Sequence, residues 1–85
     1  MSLLPHVVEA RFSGGRCLDL VFNDGLIKRV DFSPYIAKGG VFAELADDIF
    51  FKRFFVDLNT VCWPNGADVA PERLYEIGVT IEAAA

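Results

Sequence analysis

Histidine and cysteine are scarce in this 85-residue chain. His6 is the only histidine, so a histidine-based metal site or a nucleophile–base pair would depend on one residue close to the N-terminus. Cys17 and Cys62 are the only cysteines, which excludes a fold built on a framework of disulfides. Each lies in a segment that we predict to be a strand, and we interpret both as buried, unreactive thiols. We expect no metal, no cofactor and no catalytic residue.

Basic residues are also few. Eight lysines and arginines stand against twelve acidic residues, which gives a net charge of −4. Nucleic-acid-binding proteins usually present a basic face, because neutralising phosphates supplies much of their affinity. We therefore expect no direct binding of nucleic acid. A continuous stripe of basic side chains on the exposed face of the sheet would favour that function instead, and its members would be Arg11, Arg16, Lys28 and Arg29.

Long hydrophobic runs are missing, so the sequence offers no segment that could span a bilayer. The first six residues lack the basic start and the long apolar core of a secretory signal. Together with two unpaired thiols, this makes the cytoplasm the expected location.

Apolar residues make up 53% of the chain and aromatic residues 13%. This composition excludes a disordered chain, which would have few aromatic residues and a high net charge. The length suffices for one domain, and we predict that residues 1–85 form it.

Three segments with a period of two predict an antiparallel meander. Glycine-containing turns at residues 13–15 and 23–25 separate them, and the second has the composition of a tight hairpin. The strands are predicted at His6–Phe12, Arg16–Phe22 and Leu26–Phe32. Their inward side chains place four residues in the core, namely Phe12, Leu20, Phe22 and Val30.

Short helices are predicted in the middle of the chain. Ser33 has the character of an N-cap with Pro34 at the first helical position, and the acidic pair Asp47 and Asp48 is typical of the start of another helix. The first is a short turn from Pro34 through Ile36. The next two predicted helical segments are Val41–Leu45 and Ile49–Arg53.

The last third predicts a two-stranded ribbon and a closing helix. The ribbon comprises Phe55–Leu58 and Thr60–Trp63, and the helix covers Pro71–Ile77 with Gly78 as its C-cap. Val79–Ile81 is either a short edge strand or an extended tail. The fold class is therefore α+β: a small antiparallel sheet, made of a three-stranded meander plus a two-stranded ribbon, with short helices and a closing helix.

Several of these motifs occur together in a known family. The motifs are Phe22-Asn23-Asp24-Gly25, Val30-Asp31-Phe32, Gly40-Val41-Phe42-Ala43-Glu44-Leu45, Phe50 and Phe51, Val61-Cys62-Trp63-Pro64-Asn65-Gly66-Ala67-Asp68, and Pro71-Glu72-Arg73-Leu74-Tyr75. The most specific part is the Trp-Pro-Asn-Gly-x-Asp segment followed by Pro-x-x-Leu-Tyr. On these motifs, from about residue 8 to residue 75, the chain resembles the small bacterial family called domain of unknown function 2442.

The resemblance implies a compact α+β domain. Some members carry an added helix-turn-helix domain, for which this chain has no room, and some are encoded beside a small partner in pairs similar to toxin–antitoxin systems. The family has no established catalytic residues, so the resemblance implies none here.

Two sets of residues are candidates for a site. Trp63 beside Pro-Asn-Gly could line a pocket, with Asn65 and Asp68 as polar contacts; the alternative is a tryptophan that fills the core next to a tight turn. Four phenylalanines close together exceed what one helical face needs, so they form either a partner surface or part of the core. They are Phe50, Phe51, Phe54 and Phe55.

Three interpretations of function follow. The leading one is a non-enzymatic protein-interaction or regulatory module, such as the antitoxin-like member of a two-protein system. Its expected partner is a second copy of the chain or another small protein. The alternatives are a small ligand-binding domain or enzyme that uses the segment from Trp63 to Asp68, and a nucleic-acid-associated module.

Overall fold

The computed structural model describes residues 4–83, so the first three residues of the N-terminal segment considered above lie outside it. The described residues form two antiparallel sheets with short helices between their strands. The strands are β1 (Val7–Gly14), β2 (Cys17–Phe22), β3 (Leu26–Asp31), β4 (Phe55–Asp57), β5 (Thr60–Cys62) and β6 (Val79–Ala83); the helices are α1 (Ser33–Lys38), a 3₁₀ helix (Gly40–Ala46), α2 (Asp48–Phe51) and α3 (Pro71–Ile77). This arrangement confirms the α+β class.

The main sheet has the strand order β1-β2-β3-β6, and its neighbouring strands are antiparallel. The first three strands are the predicted meander. Their second turn closes with a 2.9 Å hydrogen bond from the Gly25 amide to the Phe22 carbonyl, and Gly25 has the positive φ of 88° that favours glycine. The segment after α3 extends the meander by a fourth strand, so the edge-strand interpretation is confirmed.

One face of this sheet carries the core. Leu20, Phe22 and Val30 are almost completely buried, as predicted. Phe12 is an exception, because it is 41% exposed. Phe12 pairs with Leu18 and so lies on the core side of the sheet, but β1 is an edge strand, and the ring, 6.2 Å from that of Phe51, is only partly covered. A register shift between the Val7 and Glu9 pairs also turns Val7 inward at the start of β1. The period-two pattern could not reveal that shift.

The helix starts differ in part from the prediction. The N-cap of α1 is Phe32 rather than Ser33, and the Asp31 carboxylate accepts a 2.9 Å hydrogen bond from the Ser33 amide. Asp47 is the N-cap of α2, and its carboxylate accepts from the Phe50 amide at 2.8 Å. The helix ends at Phe51, before the predicted Arg53.

Gly78 ends α3, although not in the left-handed conformation that a glycine C-cap often adopts. Its φ is −69°, which any residue can adopt. The reason for glycine is space, because a Cβ atom here would lie 2.9 Å from the Leu74 carbonyl oxygen and from the Lys28 Cβ. The close approach lets β6 pair with β3 immediately after the helix.

None of the helices among residues 4–83 is long and apolar enough to cross a membrane.

Candidate functional site

Trp63, the centre of the candidate binding segment, is part of the core. Its side chain is 1% exposed, and its indole nitrogen donates a 2.9 Å hydrogen bond to the carbonyl oxygen of Phe51. Its ring packs edge-on against Phe32 with centroids 5.2 Å apart. Since the polar atom of the indole is already paired, Trp63 fills the core beside a turn and presents no group to a ligand.

Asn65 holds this turn in place. Its amide nitrogen donates to the Val41 carbonyl at 2.9 Å and to a Glu44 carboxylate oxygen at 3.0 Å, so it ties the turn to the 3₁₀ helix. Its amide oxygen accepts a 3.0 Å hydrogen bond from the Ala67 amide. Both donors of the side chain are engaged, which makes Asn65 a bridge between two segments of the fold.

Asp68 is exposed and forms an isolated antiparallel bridge with Cys62. The bridge places Asp68 beside β5, whereas Trp63 points into the core and Asn65 to the 3₁₀ helix. The three candidate binding residues therefore do not converge on one pocket.

The two thiols lie in different sheets, Cys17 in β2 and Cys62 in β5, and no disulfide joins them. Burial raises the pKa of the Cys62 thiol, and the nearby Asp68 carboxylate raises it further. Burial also raises the pKa of Cys17, with a smaller contribution from Asp31. Because the thiolate is the reactive form, both shifts favour inert thiols.

An open cleft with a volume of about 490 Å³ lies elsewhere, between the β1–β2 turn and the helices. Its lining residues are Gly15, Arg16, Ser33, Ile36 and Ala46. The guanidinium group of Arg16 donates to the Gly15 carbonyl at 2.8 Å and to the Ala46 carbonyl, and it pairs with Asp48 at 3.3 Å. These contacts fasten the turn to the start of α2, and the lining holds no nucleophile–base pair.

The four phenylalanines divide between core and surface. Phe51 is fully buried and Phe50 is 8% exposed, so neither is available to a partner, in contrast to the expectation of a four-residue interface. The Asp47 cap fixes α2 with both rings turned inward. Phe54 packs half-buried against the core, and Phe55 is 45% exposed on β4. Only Phe54 and Phe55 can contribute to a surface that contacts a partner.

The basic residues do not form a stripe. On the outer face of the main sheet, Arg29 forms two hydrogen bonds to the Asp19 carboxylate, at 2.8 and 3.1 Å, and these lower the pKa of Asp19. Arg11 pairs in the same way with Glu9. Lys28 points to the other face, beneath α3, where it is 9% exposed. The positive charges on this face are thus matched by carboxylates.

Among residues 4–83, no three histidine, cysteine or acidic side chains come together as potential metal ligands.

The hairpin β4–β5 carries the feature that the sequence analysis missed. Its two-residue loop, Leu58 and Asn59, has positive φ at both positions, 50° and 68°. Leu58 is also 84% exposed. A run of Asp-Leu-Asn between two strands is the available signal, because a type I′ hairpin loop requires positive φ at both loop residues and leucine is unusual there.

The family comparison gives a match to a model described as protein of unknown function DUF2442, over residues 7–80. The chain belongs to the DUF2442 family. The match spans all six strands from the start of β1 into β6, so the DUF2442 unit and the fold coincide. No curated protein and no solved structure matched the chain.

Proposed function

We propose that this DUF2442 chain is a non-enzymatic protein-interaction module that binds a partner protein through the hairpin β4–β5. The observation that carries the proposal is Leu58, an apolar side chain that is 84% exposed on a loop residue with φ of 50°. Bulky residues with positive φ are uncommon and are a reason to look for a function.

Leucine is costly at this position of the fold. A left-handed conformation costs an L-residue of this kind about 1–2 kcal/mol, whereas glycine and asparagine adopt it more readily. A side chain as exposed as that of Leu58 recovers little of this cost through burial. The free energy of folding would be more favourable with asparagine or glycine at residue 58. Leu58 therefore does not serve the stability of the isolated fold, whereas binding to a partner would explain its presence.

Two hydrogen bonds hold the hairpin tip in place, which suits a binding anchor. The Asn59 carbonyl accepts a 2.9 Å hydrogen bond from the Val7 amide, so the tip is fixed to β1. The Asp57 carboxylate accepts a 3.0 Å hydrogen bond from the Leu58 amide inside the turn. An anchor that is already ordered loses less entropy when a partner binds.

Further apolar side chains are exposed on the hairpin and on the strand to which it is fixed. Val8 is 57% exposed, Phe55 45% and Val56 38%. We call Val8, Phe55, Val56 and Leu58 the hairpin surface; Phe55 and Val56, as neighbours in a strand, lie on opposite faces of β4, and Leu58 lies at the tip. Apolar and aromatic side chains supply most of the energy in the centre of protein interfaces, so a partner with an apolar pocket fits this surface.

The net charge indicates the kind of partner. At −4 the chain attracts a basic protein over long distances, which raises the rate of encounter. If the basic partner itself binds nucleic acid, this chain would cover the partner's basic surface and prevent that binding. This is the basis on which we propose an antitoxin-like or regulatory role.

A ligand-binding domain or an enzyme has less support. The polar atoms of Trp63 and the donors of Asn65 are used within the fold, and Arg16 in the open cleft is engaged by two carbonyl groups and Asp48. A nucleic-acid-associated module has less support because Arg11 and Arg29 are paired with carboxylates.

The test is affinity capture from the lysate of the native host with tagged wild-type chain and Leu58→Asn. Proteins that are enriched on the wild type and lost on the variant are then purified, and their binding to both chains is measured by calorimetry. Loss of a central apolar anchor is expected to weaken binding by about tenfold or more.

Ile49→Asn is the matched control. Ile49 is another exposed apolar residue, 76% exposed on α2 and outside the hairpin surface, so this variant is expected to bind like the wild type. A captured partner that binds Leu58→Asn as tightly as the wild type would contradict the assignment of the hairpin. A capture without any specific partner would contradict the interaction module itself.

A further inference from the structure

The outer edge of β6 is open. β6 pairs with β3 along one edge, and no other strand among residues 4–83 pairs with its opposite edge. All five residues of the strand are exposed. The edge of such a strand presents a row of backbone N–H and C=O groups that can pair with a strand of another chain.

The side chains of this edge have the character of an intermolecular contact. Val79 is 68% exposed, Ile81 39%, and Ile77 just before them 39%. Glu82 is the single charged residue of the strand, which contains neither lysine nor proline. A β-bulge at Ile81, which has no partner on β3 because Ile27 pairs with Glu82 and Lys28 with Thr80, is the one protective feature. Short apolar, β-branched segments with little charge pair readily with other strands.

The opposite edge of the same sheet is covered at its start and irregular along its length. On β1, the Val7 amide is bonded to the Asn59 carbonyl of the hairpin, and two register shifts interrupt the strand. The hairpin also packs against β1. Open-ended growth, in which β6 of one copy pairs with β1 of the next, is therefore disfavoured. Pairing of β6 with β6 about a two-fold axis remains, and it closes at two copies.

We propose that β6 pairs antiparallel with β6 of a second copy, so that two four-stranded sheets form one eight-stranded sheet. With the two-fold axis at Ile81, the bulged residues of the two copies meet on the axis, and the regular residues on either side pair, Val79 with Ala83 and Thr80 with Glu82. Glu82 then lies opposite Thr80 of the second copy, so no like charges are directly opposed. Two chains of net charge −4 repel each other, and the edge of β6, with one charged residue in five, is a part of the surface where this repulsion is small.

This dimer is independent of the proposed function, because it uses β6 and leaves the hairpin surface free. It also replaces the phenylalanine cluster as the reason to expect a homodimer, since Phe50 and Phe51 are buried within one copy.

The test is sedimentation equilibrium of the full chain over about a hundredfold range of concentration. The wild type is expected to approach twice the monomer mass as concentration rises. Ile81→Lys places a charge at the centre of the edge and is expected to raise the dissociation constant of the dimer by about tenfold or more. Ile49→Lys, an exposed isoleucine on α2, is the matched control and is expected to dimerise like the wild type.

Hydrogen exchange locates the contact and guards against misfolding of the variant. Backbone amides within residues 79–83 of the wild type are expected to become protected at high concentration, and those of Ile81→Lys to stay unprotected while β2 keeps its protection. Val79→Lys supplies a second edge variant if Ile81→Lys unfolds. A wild type that stays monomeric, or protection that rises on the hairpin instead of β6, would overturn the proposal.

Leu58→Asn separates the two proposals. It is expected to dimerise normally, because residue 58 lies outside β6. A loss of partner binding with an intact dimer supports the hairpin alone, and a loss of the dimer in Leu58→Asn contradicts the edge proposal.

Discussion

The ammonium group of Lys28 lies 3.8 Å from the centroid of the Tyr75 ring and donates a 2.7 Å hydrogen bond to the carbonyl oxygen of the same residue. Lys28 is 9% exposed, because its stem lies beneath α3 beside Gly78. A buried charge must be compensated by its neighbours. The Tyr75 carbonyl is one of the last four of α3, where a cation also complements the helix dipole. This pair fastens the closing helix to β3.

Lys28→Met tests that role. Methionine keeps much of the apolar stem but removes the ammonium group, so the Tyr75 carbonyl loses a charged donor. We expect the free energy of unfolding to fall by about 1–3 kcal/mol in urea denaturation. Lys38→Met is the control; Lys38 is exposed, and the expected change is within about 0.5 kcal/mol. Equal effects of the two substitutions would show that the contact between the Lys28 ammonium group and Tyr75 does not stabilise the fold.

Tyr75→Phe tests a second tie of α3. The Tyr75 hydroxyl donates a 2.6 Å hydrogen bond to the Asp24 carboxylate, which lowers the pKa of Asp24 and raises the pKa of Tyr75. A lowered carboxyl pKa stabilises the fold above the unfolded value of about 3.9, and this stabilisation is lost as the pH falls through the lowered pKa. A raised tyrosine pKa stabilises below about 10, and this is lost as the pH rises through the raised pKa.

The difference in unfolding free energy between the wild type and Tyr75→Phe is therefore expected to be largest near neutral pH and to shrink at both extremes. Urea denaturation at a series of pH values measures it, and the difference will be small because both groups are exposed to solvent. Tyr35→Phe is the control, since the Tyr35 hydroxyl makes no hydrogen bond to residues 4–83. A difference that does not vary with pH would argue against the Asp24 contact.

Trp63→Phe tests whether the most characteristic segment of the chain is structural. The smaller ring leaves a cavity, and the Phe51 carbonyl loses the indole donor. We expect the free energy of unfolding to fall by about 2–4 kcal/mol in calorimetric melting. Binding of the captured partner at a temperature where the variant is folded should be unchanged. A variant with the stability of the wild type but weakened binding would contradict this assignment and place Trp63 in a binding site.

The sequence predicted the meander because its strands combine period-two patterns with glycine turns, and both are local signals. It did not predict the exposure of Phe12, since that depends on the position of β1 at the edge of the sheet, where few residues cover the ring. The N-cap at Phe32 was missed for a different reason: Asp31 satisfies the Ser33 amide from outside the helix. Strand pairing is decided by tertiary contacts, whereas the cap depends on a local choice between two neighbouring polar side chains, Asp31 and Ser33.

The candidate site was harder to predict than the fold. Composition singles out Trp63 and the clustered phenylalanines as unusual, yet it cannot tell an aromatic core from an aromatic surface. Trp63, Phe50 and Phe51 belong to the core because the capped helix α2 turns toward the sheet. Leu58 was overlooked because its importance lies in a backbone angle, which is visible only once β4 and β5 are paired.

Leu58→Gly is predicted to make the isolated protein more stable. The loop requires a left-handed residue at position 58, and glycine removes the steric cost that leucine has there. Since the leucine side chain is 84% exposed, little hydrophobic burial is lost in exchange, although glycine also gains entropy in the unfolded chain. We expect the free energy of unfolding to rise by about 0.5–1 kcal/mol in urea denaturation.

The control is Ile49→Gly, on the exposed side of α2, which should instead lower the free energy of unfolding, because glycine disfavours a helix. A gain in stability together with a loss of partner binding would be the trade-off expected of a residue retained for recognition. A loss of stability in Leu58→Gly would mean that Leu58 supports the fold, and the case for the hairpin surface would then fail.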